Sequence, residues 1–242
     1  MGILMNYRCK CRANEIIAEG RETALSMYQN QHECGADTPS HVDKTGQLMG
    51  IMVDAINAKM PGRYSEKDKE MLIKAAEYHD IGKITVPVSV LDKNGRPTPE
   101  EFSVIQMHPV NGSDIILSWL GNSDLSKEDA DVIKLASEMA LSHHEKVDGT
   151  GYPYGLKGED IPESAKMMAV VDVLEALTAQ RAYKPSMSFE RAESIIREGA
   201  GTQFDANLVD ILFSNSKARD EMNKIINEGR VEKVNEYIGE DR

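Results

Sequence analysis

A chain of 242 residues, 40% hydrophobic and 28% charged, is long enough to bury a core without disulfide staples and has room for one or two domains. Its 28 basic against 40 acidic side chains give a formal charge of −12, which argues against a general nucleic-acid surface, since that needs a basic stripe. A small anionic ligand is not excluded, because bound cations or a few basic side chains reverse the field locally.

Three cysteines, Cys9, Cys11 and Cys34, lie near the start of the chain. An odd count with none in the body implies no disulfide framework. Cys9-x-Cys11 is compatible with metal or redox chemistry, although reduced thiols of a cytosolic protein are the simpler reading. No apolar run approaches the roughly 18 residues of a membrane span. The apolar residues at the start are too few for a secretory segment, so the cytoplasm is the expected compartment.

Residues 1–36 read as an N-terminal helical extension. Thr38-Pro39 opens the first strongly patterned helix, with Pro39 suited to its first turn. Leu48, Ile51, Met52, Ala55 and Ile56 share one face, and Pro61-Gly62 stops it. Ser65, with Asp68 three residues on, predicts a capped second helix that ends at His79-Asp80-Ile81-Gly82-Lys83. There the helix end would let Asp80 turn inward, with Gly82 supplying backbone freedom. Thr98-Pro99-Glu100-Glu101 starts a short helix expected to end at His108-Pro109, because the residue before proline is driven out of the helical region. A further helix is expected from Asn111 to Leu120.

Ser126 opens a longer helix that delivers His143-His144-Glu145, followed by the acidic, glycine-rich turn Asp148-Gly149-Thr150-Gly151-Tyr152-Pro153. The helix from about Pro162 to Gln180 is strongly apolar yet carries Asp172 in its middle. A carboxylate there must be paired, ligated or protonated, unless it lies on a narrow solvent-facing stripe. Arg181 and Lys184 follow, where the helix dipole favours positive charge. Helices over 188–199, from Asp205, and over about 218–238 complete the chain. No strand pair is evident, so the expectation is all-α.

Taken together, His41, His79-Asp80-Ile81-Gly82-Lys83, His108-Pro109, His143-His144-Glu145, Asp148-Gly149-Thr150-Gly151-Tyr152-Pro153 and Asp172 form an ordered set that resembles the HD-GYP family. That family is a branch of the HD metal-dependent phosphohydrolases. The resemblance covers residues 37–215, leaving 216–242 as a C-terminal helix packed on the domain or extending from it. It implies an HD-type helical bundle with a metal centre between helices, holding two or three divalent ions, usually iron or manganese. It also implies hydrolysis of cyclic di-GMP to pGpG or onward to GMP.

By the same resemblance His79, Asp80, His108, His143, His144 and Asp172 would be metal ligands, and His41 would serve a second or third ion. Asp37 occupies the place of an acidic residue that supports a third ion in some members. Asp80 would bridge ions. Lys83 would bind the scissile phosphate or assist proton transfer. Arg181, Lys184, Gly151 and Tyr152 would contact the nucleotide. Imidazole with carboxylate suits iron, manganese or zinc, and the motifs contain no thiolate.

This chain departs from the family pattern at Lys146 and Val147, where an arginine and an aromatic are common, and at Glu175, where aspartate is common. Two alternatives stay open: the departures leave room for the first, and the N-terminal segment and the amphipathic tail for the second. One is a phosphohydrolase of another cyclic dinucleotide. The other is a metal- and ligand-binding signalling module of low turnover, acting through a homodimer or a partner protein. No nucleic-acid polymer and no membrane span are expected in either case.

Overall fold

A computed structural model describes residues 26–28, 39–121, 125–179 and 186–239, with the backbone alone for 39–43 and 228–239. The described residues contain no strand; one isolated bridge joins Ala200 and Phe204. The helices are α1 (Pro39–Lys59), α2 (Glu66–Ala76), α3 (Val88–Leu91), α4 (Pro99–Ile105) and α5 (His108–Ser118). After them come α6 (Lys127–Ser142), α7 (Glu163–Thr178), α8 (Phe189–Glu198), α9 (Ala206–Ser214) and α10 (Ser216–Gly239). A 3-10 turn over Ile81–Thr85 follows α2.

The caps explain the boundaries. Ser65 and Asp68 form a reciprocal capping box at the start of α2, and Thr98 and Glu101 do the same for α4. Each pair satisfies two amides that a helix start leaves without intrahelical acceptors. Ser126, Ser188 and Asp205 cap α6, α8 and α9. Gly62, just beyond α1, has φ +78°, a conformation that a Cβ disfavours.

One boundary differs from the sequence expectation. His108 does not close α4; it opens α5, with Pro109 in the first turn. Proline lacks an N–H, and the first helical turn has no intrahelical acceptor for one, so the motif starts a helix rather than ending one.

The main core forms around α1 and α7. Leu48, Met49, Met52, Val53 and Ile56 of α1 are all buried, and α1 packs on α2, α7, α9 and α10. Helix α7 is buried from Ser164 to Val171 without a polar face, as expected of a helix enclosed by others. Helix α6 lies against α2, α5 and α7. Ala218, Met222 and Ile226 bring the start of α10 into the same core.

A second, smaller cluster stands apart. Val86, Val90 and Val104, with Leu91 and Ile105 against them, tie α3 to α4. From the N-terminal extension, only the helical residues 26–28 are described, and Tyr28 packs into the main core. Among the described residues no helix is long and apolar enough to cross a membrane.

Candidate metal centre

Four places in the fold converge on one point: the segment after α2, the first residue of α5, the end of α6 and the middle of α7. After Ala76 the chain leaves α-helical geometry. Asp80, at φ −103° and ψ 5°, breaks the helical path, and its carboxylate turns inward. The following 3-10 turn places residues three apart in register. Lys83 accordingly lies over Asp80, with Nζ 2.6 Å from Oδ2.

Gly82 has a different role from the one expected. Its φ is not positive; it is small because the backbone passes close to α5. A Cβ at Gly82 would lie 2.0 Å from the His108 carbonyl oxygen and 2.6 Å from the Gly112 nitrogen. The HD turn and the start of α5 therefore meet backbone to backbone, and this contact sets how far Asp80 lies from His108.

Two overlapping groups of donor atoms result. Asp80, His108, His143 and His144 form one, and His79, Asp80 and Asp172 the other, with the ligand atoms within each lying inside 4.8 Å of one another. Asp80 belongs to both. Its Oδ1 lies 3.2 Å from His108 Nε2 and 3.7 Å from His143 Nε2. Its Oδ2 lies 3.3 Å from His79 Nε2, which is 3.7 Å from Asp172 Oδ1. Asp172 is thus not on a solvent-facing stripe; its side chain is 16% exposed and aimed at His79.

The imidazoles are oriented from behind by the main chain. His79 Nδ1 is 2.8 Å from the Ala76 carbonyl oxygen, His108 Nδ1 is 2.7 Å from that of Ile105, and His143 Nδ1 is 3.0 Å from that of Ala140. A carbonyl only accepts, so Nδ1 carries a proton in each ring, and where the ring is neutral Nε2 turns its lone pair inward. Yet His108 Nε2 and His143 Nε2 face each other across 3.5 Å, with the Asp80 carboxylate beside them. With both rings neutral, three acceptors meet there with no donor among those nitrogens. Burial also holds the pKa of His108 below its ordinary value despite Asp80, so protonating it is not the easy remedy. A divalent cation satisfies all three lone pairs, and main-chain support of each imidazole is the usual accompaniment of a metal site.

His79 behaves differently. Burial works against its charge, but the carboxylates of Asp80 and Asp172 outweigh burial and raise its pKa to about 10. Burial works against the Asp80 carboxylate too, but Lys83 and His79 outweigh it and hold its pKa well below the usual range. Burial, reinforced by His143 and His108, holds His144 well below the ordinary histidine value.

The metal-free protein therefore keeps a second proton, on His79 Nε2, at neutral pH, and ligation by His79 would displace it. Metal loading is expected to release about one proton from this site, and affinity to climb about tenfold per pH unit between about pH 7 and pH 9. Titration in a weakly buffered indicator solution reads this directly. A pH-independent affinity with no proton release would count against the assignment.

The Gly151-Tyr152-Pro153 loop forms one wall. Gly151 has no room for a side chain, since a Cβ there would lie 2.4 Å from the Lys146 nitrogen. The Tyr152 ring stacks on His144 with centroids 4.7 Å apart. Burial raises the Tyr152 phenol's pKa, and the Asp80 carboxylate adds to the effect.

Glu145 holds this loop in place, a role that sequence reasoning does not assign. Its carboxylate is buried and accepts from Tyr154 N at 2.7 Å and from Leu156 N at 3.0 Å. Nothing local signals it, because both partners lie nine or more residues away. Glu145→Gln would turn an amide NH2 toward one of these N–H groups. A loss of about 1.5–3 kcal/mol in unfolding free energy is expected, read from urea denaturation. An unchanged midpoint would show that the clasp contributes nothing.

Of the other sequence candidates, His41 lies in the first turn of α1, with its side chain outside the described residues. Asp37, Arg181 and Lys184 lie outside them altogether, as do Cys9, Cys11 and Cys34.

An all-helical bundle gathering histidines and aspartates from helix ends and from the middle of one helix defines a class. The family model described as HD domain matches residues 32–208. The chain belongs to the HD domain family, in its HD-GYP branch. It is 46% identical over 176 residues to a "Probable cyclic di-GMP phosphodiesterase" of Vibrio cholerae, covering 72% of this chain and 39% of that protein. It is 34% identical over 201 residues to the "3'3'-cGAMP-specific phosphodiesterase 2" of the same organism, covering 83% of this chain and 33% of that one. The chain thus spans under half the length of these curated relatives. A solved HDG"Y"P protein from Bdellovibrio bacteriovorus has a similar fold, with a TM-score of 0.53 at 16% identity, over 93% of this chain and 71% of the other.

Proposed function

We propose that this chain is a metal-dependent phosphodiesterase that hydrolyses cyclic di-GMP to pGpG or GMP. The observation that carries this reading is the pair of donor groups sharing Asp80, with the Lys83 ammonium 2.6 Å from that same carboxylate. A phosphodiester is anionic and has a poor leaving group. Divalent ions, when bound, supply charge neutralisation at the phosphate, an acidified water and support for the leaving oxygen.

His79, Asp80 and Asp172 would hold one ion, and Asp80, His108, His143 and His144 another; His41 and Asp37 are the candidates for a third. Iron or manganese suits this mixed set. Lys83, tethered to Asp80 and 22% exposed in its side chain, would hold a phosphate oxygen or pass a proton to the leaving group. Tyr152, fixed on His144, would wall the site. Arg181 and Lys184 would reach the second phosphate or the bases through charge and, for arginine, bidentate bonding.

The test is anaerobic purification, metal analysis, incubation with cyclic di-GMP and chromatography of the products. Two or more iron or manganese ions per chain, with pGpG or GMP formed, is the expected result. A full metal complement with cyclic di-GMP left intact would overturn it. A second reading, in which the substrate is another cyclic dinucleotide, is favoured by Lys146, Val147 and Glu175 and by the relative named for 3′3′-cGAMP. The same incubation with 3′3′-cGAMP separates the two.

A further inference from the structure

Phe102 is an aromatic side chain left 42% exposed on α4. It belongs to neither buried cluster. Its α4 neighbour Val104 anchors the small cluster with Val86 and Val90, so the backbone of α4 is fixed independently of Phe102. The Phe102 ring lies 6.1 Å from the Tyr152 ring at 78°, and Tyr152 in turn stacks on His144. Two ring contacts therefore lead from a candidate metal ligand to solvent, and the last two rings form a right-angled corner. A flat heteroaromatic group fits such a corner by stacking on one wall and meeting the other edge to face. A nucleotide carries its base one sugar away from the phosphate that the metal centre would hold.

We infer that Phe102 is a substrate-specificity residue: its exposed face stacks on one nucleobase of the cyclic dinucleotide while the adjacent phosphate sits at the Asp80 centre. This rests on the reading of the site as a cyclic dinucleotide phosphodiesterase. Stacking on an aromatic side chain tolerates any base because every base has a π-face. Phe102 therefore favours nucleotides over simple phosphodiesters and leaves the choice among bases to groups that read their edges.

The experiment compares Phe102→Ala, Phe102→Leu and Phe102→Tyr with the unmodified chain, each metal-loaded. The two substrates are cyclic di-GMP and bis(2,2,2-trifluoroethyl) phosphate, a diester with no aromatic ring, followed by fluorine NMR. Phe102→Ala is expected to raise KM for cyclic di-GMP about tenfold with kcat within about twofold. Phe102→Leu, which keeps apolar bulk but loses the π-face, should behave like alanine, and Phe102→Tyr should restore the original KM. Hydrolysis of the simple ester should be unchanged in all three.

An unaltered KM in Phe102→Ala overturns the inference, as does restoration by leucine or an equal loss on both substrates. If the unmodified chain cleaves the simple ester but no cyclic dinucleotide, the proposed function itself has failed and the role of Phe102 falls with it. That pattern is distinct from the other three.

Discussion

Asp80→Asn is expected to remove metal binding and phosphodiester hydrolysis while leaving the helices in place. Asparagine fills the same volume. Its amide can donate to the lone pair of His108 Nε2 or His143 Nε2, which the carboxylate oxygen faces at 3.2 and 3.7 Å. The metal-free fold is expected to tolerate loss of the charge, because His79 can give up its extra proton and Lys83, 22% exposed, can turn to solvent. The candidate metal centre depends on that charge, because among the described residues Asp80 is the one present in both donor groups. Loss of a group that merely supports a ligand costs roughly 10–100-fold in metal affinity or activity. Loss of the shared carboxylate is expected to exceed that range. Metal analysis, far-ultraviolet circular dichroism and product chromatography on one preparation check it. Two tightly held ions with activity within about tenfold of the original would refute the bridging role.

Gly82→Ala is the second large effect. Its methyl group would sit 2.0 Å from the His108 carbonyl oxygen and within 2.9 Å of Gly112 Cα. Both neighbours are main-chain atoms at the start of α5, so no side chain can rotate aside. The 3-10 turn and α5 must separate. Overpacking usually costs about 1–3 kcal/mol, and a backbone clash belongs at the top of that range, so about 3 kcal/mol or more is expected by urea denaturation.

The separation also moves Asp80 away from His108, so metal affinity should fall even in the fraction that stays folded. Gly95→Ala is the control: Gly95 has φ +123°, and a methyl group added there would meet nothing within 4 Å. It should cost stability through backbone conformation without touching the metal centre. A Gly82→Ala protein with unaltered stability and metal content would mean that the close approach does not set the site.

The two glycines show where sequence reading stops. A glycine after His-Asp suggests conformational freedom. At Gly82 the requirement is instead steric, imposed by a helix that begins 26 residues later, and no local pattern carries that information. His108 is similar. Pro109 marks a helix boundary but does not say on which side of it the helix lies. The caps at Ser65, Thr98 and Ser126 are legible because each acts on amides within three residues. Asp172 is legible as an anomaly, a charge in an apolar helix, but not as a neighbour of His79.

The helical class, most helix starts, and the histidines and aspartates in the order that marks the HD-GYP family can all be read from the residues in line. Those features follow from local hydrogen bonding and from periodicity along one helix. The family resemblance implies the bridging place of Asp80. Three other features emerge only once the chain is folded: His108 and His143 bring their Nε2 atoms to 3.5 Å, Glu145 clasps the loop after Tyr152, and Phe102 stands beside Tyr152. These depend on how α4, α5, α6 and the loop after α6 dock. Docking is set by close packing between residues far apart in the chain, which spacing along the sequence does not encode.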